Sequence, residues 1–229
     1  MLRTAFVVKT VLAGLLLGLS IGQPAVAASE QTESIEVLKE SAKSGDAPTQ
    51  FSLGWMYYEG IGVKQSYAEA AKWYRKAADQ GDATAQLSLG WMYINGQGVN
   101  QSYTEAAKWL RKAADQGKAL AQTLLGVMYD NGQGVKQSYA EAEKWYRKAA
   151  DQGDAGAQFN LGVMYDQGRG VKQSETEAVK WYRKAADQGD AGAQYNLGVM
   201  YYEGKGVRQN YRMAKEYFGK SCDNGYDPG

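Results

Sequence analysis

A 36-residue period constrains this chain more than any other feature of its sequence. The motif Leu-Gly-x-Met-Tyr occurs five times at that interval, with its glycines at Gly54, Gly90, Gly126, Gly162 and Gly198. An aromatic residue keeps the same spacing at Trp73, Trp109, Trp145, Trp181 and Tyr217. Periods of this length are typical of solenoids built from stacked supersecondary units. The 229 residues are therefore predicted to form five repeats over 46–81, 82–117, 118–153, 154–189 and 190–225, with a half-repeat cap at 28–45 and a tail at 226–229.

Each repeat is predicted to contain two helices. In the second repeat Ala85, Leu89 and Tyr93 share one helical face, and the glycine-rich segment 95–99 ends that helix. The spacing of Ser66 and Glu69 predicts a capping box at the start of the second helix. A single helix pair cannot bury its own apolar stripe, so stacking is required. The predicted fold is all-α, a right-handed α/α superhelical solenoid of tetratricopeptide-like helix–turn–helix repeats.

The first 27 residues have the pattern of a secretory signal peptide. Arg3 and Lys9 precede an apolar run over 11–19, and the small residues Ala25-Val26-Ala27 follow. A membrane anchor is the alternative, but this run is shorter than the roughly 20 residues that a spanning helix needs. We expect cleavage after Ala27 or one residue later and no stable membrane insertion afterwards. The predicted location is the periplasm, the cell surface or the medium of a Gram-negative bacterium.

Composition excludes several kinds of chemistry. The chain has no histidine and one cysteine, Cys222, so histidine-based catalysis, an internal disulfide and a cysteine zinc cage are all excluded. Lys and Arg number 26 against 25 Asp and Glu, which leaves no basic field for nucleic acid. No catalytic residue, cofactor or metal site is predicted. Cys222 occupies an alanine position of the repeat and is interpreted as a small packing residue.

The repeat motif resembles that of a known family. In the fourth repeat it reads Ala157-Gln158-Phe159-Asn160-Leu161-Gly162-Val163-Met164-Tyr165, and its second half reads Trp181-Tyr182-Arg183-Lys184-Ala185-Ala186. This pattern resembles the Sel-1-like repeat family, a subclass of tetratricopeptide-like solenoids. The resemblance implies a non-catalytic scaffold that binds protein partners. For exported bacterial members it also implies host-cell interaction, through adhesion, invasion or virulence, or envelope signalling.

A hydrolase is the alternative function. A cysteine-rich secreted branch of the same family has been linked to β-lactam binding and hydrolysis, and the resemblance places its paired cysteines where this chain has Ala78 and Gln86 and their equivalents. Only Cys222 matches. Asp130 and Asp166 lie one repeat apart, and paired carboxylates can cleave glycosidic bonds such as those of the cell wall. A solvated or partner-facing acidic stripe is the favoured interpretation of these two residues.

The candidate binding residues lie on the first helices, which line the concave side of a tetratricopeptide-like stack. The residues beside the Leu-Gly core positions vary between repeats, a sign either of a binding surface or of simple tolerance. The candidate partner-binding residues are Phe51, Trp55, Tyr58, Leu87, Trp91, Thr123, Asp130, Phe159, Asp166, Tyr195 and Tyr202. Lys118 is the one basic residue assigned to these helices, so the groove is predicted to be aromatic and mildly acidic. We expect it to bind a peptide with apolar anchors and some positive charge.

Overall fold

The architecture is a linear stack of helices. The computed structural model describes residues 36–43 and 45–226, and these residues form eleven α-helices and no strand. The helices are α1 (36–43), α2 (Ala47–Glu59), α3 (Tyr67–Asp79), α4 (Ala83–Asn95), α5 (Tyr103–Asp115), α6 (Ala119–Asn131), α7 (Tyr139–Asp151), α8 (Ala155–Gln167), α9 (Glu175–Asp187), α10 (Ala191–Glu203) and α11 (Tyr211–Asp223). Even-numbered helices from α2 to α10 are the first helices of the repeats, and odd-numbered helices from α3 are the second. The predicted all-α repeat fold is confirmed, and the predicted signal peptide lies outside the described residues.

The first helices are longer than the sequence pattern predicted. In the second repeat the helix spans Ala83–Asn95 rather than Ala85–Tyr93. It begins earlier because the Asp82 carboxylate accepts a hydrogen bond from the Ala85 N–H at 2.6 Å. It ends at Gly96, whose φ of 66° is the left-handed conformation that glycine adopts most easily. None of the described helices is long and apolar enough to cross a membrane.

Of the two hydrogen bonds that the predicted capping box implies at the start of a second helix, the structure contains one. The Ser138 hydroxyl accepts a hydrogen bond from the Glu141 N–H at 3.3 Å, as predicted. The Ser138 N–H, however, donates to the carbonyl of Tyr129 at 2.9 Å, and not to a glutamate. The glutamate of the motif is used elsewhere in three repeats, where Glu69, Glu105 and Glu177 pair with the lysine three residues later. The serine, or Asn210 in the fifth repeat, therefore ties each second helix to the first helix of its own repeat.

Each helix packs mainly against its neighbours in the chain, and glycine permits the closest approach. A Cβ added at Gly126 would lie 2.6 Å from the Tyr146 ring, so only glycine fits between α6 and α7 at this point. Tyr146 is 1% exposed, and Leu125 beside Gly126 is fully buried. The same contact joins Gly90 to Leu110 and Gly162 to Tyr182. Close packing between the two helices of a repeat therefore explains why the Leu-Gly pair recurs at the same position of every repeat.

A ladder of glutamine side chains links the repeats, and the sequence analysis did not assign it a role. Gln122 is buried and donates to the carbonyl of Ala114 on α5 at 3.0 Å. Its Oε1 accepts a hydrogen bond from Gln152 at the end of α7 at 2.7 Å. Equivalent buried glutamines occur at Gln50, Gln86, Gln158 and Gln194. Each one therefore fixes a first helix to the second helices on both sides.

Replacing Gln122 with leucine is expected to lower the free energy of unfolding by about 1–3 kcal/mol, because it removes two hydrogen bonds, the one to the Ala114 carbonyl and the one from Gln152. Gln152→Ala is the control. It removes one rung but leaves the bond between Gln122 and Ala114, so its effect should be smaller. Urea unfolding followed by circular dichroism measures both, and equal losses would contradict the assigned role of Gln122.

A second ladder, of cations and aromatic rings, runs along the second helices. Trp145 is 2% exposed and lies between the Lys148 Nζ, 4.3 Å from the ring centroid, and the Arg111 guanidinium, at 5.3 Å. Arg111 also donates a hydrogen bond to the Tyr129 hydroxyl. Since Arg111 belongs to the preceding repeat, this cluster bridges two repeats. The same arrangement surrounds Trp109 and Trp181.

The interpretation of Cys222 as a packing residue is wrong. Its side chain is exposed. The alanines at the equivalent position of the four earlier repeats, Ala78, Ala114, Ala150 and Ala186, are buried. In those repeats the first helix of the next repeat packs against the second helix, and α11 has no such neighbour among the described residues. Lys215, in place of the buried Ala71, is also exposed.

Candidate partner-binding face

All eleven predicted binding residues lie on the first helices α2, α4, α6, α8 and α10. We call the surface that they form the first-helix face. Nine of the eleven are half-buried, Tyr202 is 56% exposed, and Thr123 is buried at 7%. Among helices that do not follow each other in the chain, the first helices α8 and α10 make the most extensive contact in the described part. The first helices of the fourth and fifth repeats therefore lie side by side.

The first two repeats form an aromatic half of this face, made of Phe51, Trp55, Tyr58, Leu87 and Trp91. The Phe51 ring lies 5.4 Å from the ring of Tyr74, and Tyr58 packs edge-on against Tyr67 at 5.1 Å. The Tyr58 hydroxyl donates to the Oε1 of Gln97 at 3.2 Å, in the turn of the next repeat. Burial raises the pKa of Tyr58, against the opposing hydrogen bonds of Gln97 and Trp91.

The later repeats carry the two aspartates of the face, Asp130 and Asp166, and here the sequence analysis was incomplete. It counted the basic residues of the first helices and did not assign those of the turns to the face, where the turns supply two cations. Arg169, in the turn after α8, lies 3.4 Å from the Asp130 carboxylate and stacks at 5.7 Å on the Tyr139 ring. Arg169 follows Asp130 by the same 39 residues that separate Tyr58 from Gln97. Asp130 is therefore neutralised by the next repeat and adds little net charge to the face.

Asp166, the second aspartate of the face, differs from Asp130 in its contacts. In the described part of the chain its carboxylate has neither an ion pair nor a hydrogen bond. Lys205, at the position equivalent to Arg169, instead pairs with Glu203 at 2.7 Å. Burial raises the pKa of Asp166, Lys205 opposes this shift, and the carboxylates of Glu175 and Glu203 reinforce it. The fourth and fifth repeats thus carry an unpaired carboxylate within an acidic neighbourhood.

Thr123 and Phe159 contact the next repeat, whereas Tyr195 packs within the last one. The Thr123 hydroxyl donates to the Asp154 carboxylate at 2.9 Å, and Asp154 in turn caps α8. Thr123 therefore contributes to the junction of two repeats and offers little surface. Phe159 covers Gly192 of the next first helix, where an added Cβ would lie 3.2 Å from its ring. Tyr195 packs against Phe218 and Tyr226, with ring centroids 5.5 and 4.8 Å apart.

The repeat itself decides the family. The model of the Sel1 repeat matches five successive segments, 47–82, 83–118, 119–154, 155–190 and 191–226. The chain belongs to the Sel1 repeat family. Members of this family are repeat scaffolds that generally bind protein partners. No curated protein is significantly similar in sequence to this Sel1 repeat chain.

Solved bacterial structures share this fold. A protective antigen of uropathogenic Escherichia coli is 40% identical, with a TM-score of 0.82 over 86% of this chain and 42% of the antigen. A Sel1 repeat protein of Oxalobacter formigenes is 34% identical, with a TM-score of 0.77 over 89% of this chain and 86% of that one. A further Sel1 repeat protein, from Klebsiella pneumoniae, is 26% identical, with a TM-score of 0.52 over 84% of this chain and 94% of that one. The chain thus spans about two fifths of the length of the E. coli antigen.

The two aspartates considered for catalysis differ in their surroundings. No group of three or more Cys, Asp or Glu side chains that could hold a metal occurs among residues 36–43 and 45–226. Asp130, one of the two carboxylates considered for glycoside cleavage, is engaged by Arg169. The chemistry that the face does supply is aromatic contact, aliphatic contact and one unpaired negative charge.

Proposed function

We propose that this Sel1 repeat chain is an exported, non-catalytic scaffold that binds a peptide segment of a partner protein on its first-helix face. The observation that carries the proposal is the aromatic half. Trp55, Tyr58, Leu87 and Trp91 keep part of their surface open, although Leu53, Leu89 and Met92 on the same helices are fully buried. Aromatic side chains on a rigid support are the residues that dominate binding energies at protein interfaces.

The neighbouring structures support a role at the bacterial envelope or the host-cell surface. The relative of highest identity named above is described as a protective antigen of uropathogenic strains. The basic, apolar and small-residue order of the first 27 residues agrees with export. We therefore propose host-cell interaction or envelope signalling as the setting in which the scaffold acts.

The binding claim is tested with an array of peptides probed with the purified chain. For peptides that bind, Trp91→Ala is expected to weaken the affinity at least about tenfold, because it removes a central aromatic contact. Lys72→Ala, on the exposed side of a second helix, is the control and should leave the affinity unchanged. Circular dichroism confirms that both variants are folded. Equal affinity for the chain and for Trp91→Ala contradicts the proposed face.

The non-catalytic claim is tested with the same protein. Incubation with peptidoglycan and with a chromogenic β-lactam is expected to give no turnover. Turnover that is lost in Asp166→Asn would establish the hydrolase alternative.

A further inference from the structure

The first-helix face changes in chemistry along the stack. At the position of Trp55 the five repeats carry Trp55, Trp91, Val127, Val163 and Val199. At the position of Tyr58 they carry Tyr58, Ile94, Asp130, Asp166 and Tyr202. A partner that lies along the stack therefore meets tryptophans in the first two repeats and aspartates in the third and fourth.

Of the two aspartates of the first-helix face, only Asp166 lacks an ion partner among the described residues. Asp130 is already paired with Arg169 at 3.4 Å. Lys205, at the position equivalent to Arg169, is paired with Glu203 at 2.7 Å. Two carboxylates, Glu175 and Glu203, and one cation, the already paired Lys205, act on Asp166, which leaves a negative excess beside this half-buried carboxylate. A positive side chain from a partner complements this excess.

We propose that the partner segment is an extended peptide that places aromatic or aliphatic side chains on Trp55, Leu87 and Trp91 and a lysine or arginine on Asp166. This inference rests on the proposed function and names the chemistry of its ligand. The apolar contacts supply most of the affinity, and the cation selects among peptides that share the apolar part.

The distance between Trp91 and Asp166 also sets how many residues separate the apolar side chains of the peptide from its cation. Trp91 and Asp166 belong to first helices that are two repeats apart. At an ordinary helix-packing distance of about 10 Å per step this separation is about 20 Å. An extended chain covers about 3.3 Å per residue, so about six residues separate the apolar anchors from the cation. A peptide whose apolar side chains lie directly beside its cation cannot contact Trp91 and Asp166 at the same time.

The test compares two fluorescein-labelled peptides by fluorescence anisotropy. Both contain a Trp-Leu pair and a six-residue Gly-Ser spacer, and they end in lysine or in the neutral, similarly sized norleucine. Each peptide is also synthesised in the reverse order, with the lysine or norleucine first and the Trp-Leu pair after the spacer. The lysine peptide is expected to bind about three- to tenfold more tightly at low salt, as for a partly exposed ion pair. Raising the salt to about 0.5 M should reduce this preference, because screening weakens the pair.

Asp166→Asn and Asp151→Asn then locate the cation site. Asp166→Asn removes the charge without breaking any hydrogen bond of the described residues, and Asp151→Asn removes an exposed charge on a second helix. Loss of the lysine preference in Asp166→Asn, with the preference kept in Asp151→Asn, supports the inference. Equal affinities of the two peptides, or a preference that survives Asp166→Asn, overturn it.

Trp91→Ala separates this inference from the proposed function. If Trp91→Ala weakens both peptides while lysine gives no advantage, the binding face stands and the cation site is wrong. If neither peptide binds, or if binding is insensitive to Trp91→Ala, the proposed face itself is wrong and the cation site falls with it.

Discussion

Trp145→Ala is expected to lower the free energy of unfolding by about 3–5 kcal/mol. The indole is 2% exposed and fills the junction between the second and third repeats, so its removal leaves a large cavity. The substitution also takes away the ring on which Arg111 and Lys148 stack. In a stack held together by nearest-neighbour contacts, weakening a central junction should also reduce cooperativity. Urea unfolding followed by circular dichroism measures both effects.

Trp73→Ala is the matched control for this prediction. Trp73 occupies the same position in the first repeat but is only half-buried, and among the described residues Lys76 is the one cation over its ring. Its loss should therefore cost clearly less than the loss of Trp145. Equal destabilisation by the two substitutions would show that the stacked arginine and the deeper burial of Trp145 do not matter.

Gly134→Ala is expected to destabilise the chain by about 2–5 kcal/mol. Gly134 has a φ of 68°, in the region that disfavours side chains. An added Cβ would also overlap the backbone carbonyl of Tyr103 in the preceding repeat. Backbone atoms cannot move aside as a flexible side chain does, so the turn must withdraw from α5. Thermal and urea unfolding report the loss.

Gly153→Ala separates the two causes. Gly153 also has a positive φ, 91°, but an added Cβ there meets nothing within 4 Å. This substitution therefore carries only the conformational cost, about 1–2 kcal/mol. If Gly134→Ala is no more destabilising than Gly153→Ala, the close contact between turn and preceding repeat does not contribute to stability.

Much of the fold could be predicted from the sequence because the period places identical residues in identical environments. The spacing of Gly126 and its equivalents predicted the repeats, and the serines predicted the starts of the second helices. The role of Gln122 was not predicted, because its partners, Ala114 and Gln152, are set by stacking between helices and not by local spacing. The exposure of Cys222 was not predicted, because burial at its position depends on contact with another helix and not on the repeat motif.

The candidate face could be predicted less completely. The pattern places Trp91 and Asp166 on first helices, but it does not show which charges are paired. Arg169 lies in a turn 39 residues after Asp130, and only the stacking of the repeats brings the two together. The residue type at the Thr123 position varies between repeats, as is typical of a surface. The Thr123 hydroxyl nevertheless donates a hydrogen bond to Asp154 of the next repeat. Long-range pairing therefore decides which members of the face remain available to a partner.

Photo-crosslinking tests the central claim, binding on the first helices, most directly. p-Benzoylphenylalanine is introduced at Leu87 on the first-helix face and, in a second protein, at Ala68 on the exposed side of a second helix. Each protein is irradiated with a peptide selected on the array. We predict a crosslinked product from position 87 and none from position 68. A product from position 68 alone, or equal yields from both, would contradict binding on the first-helix face.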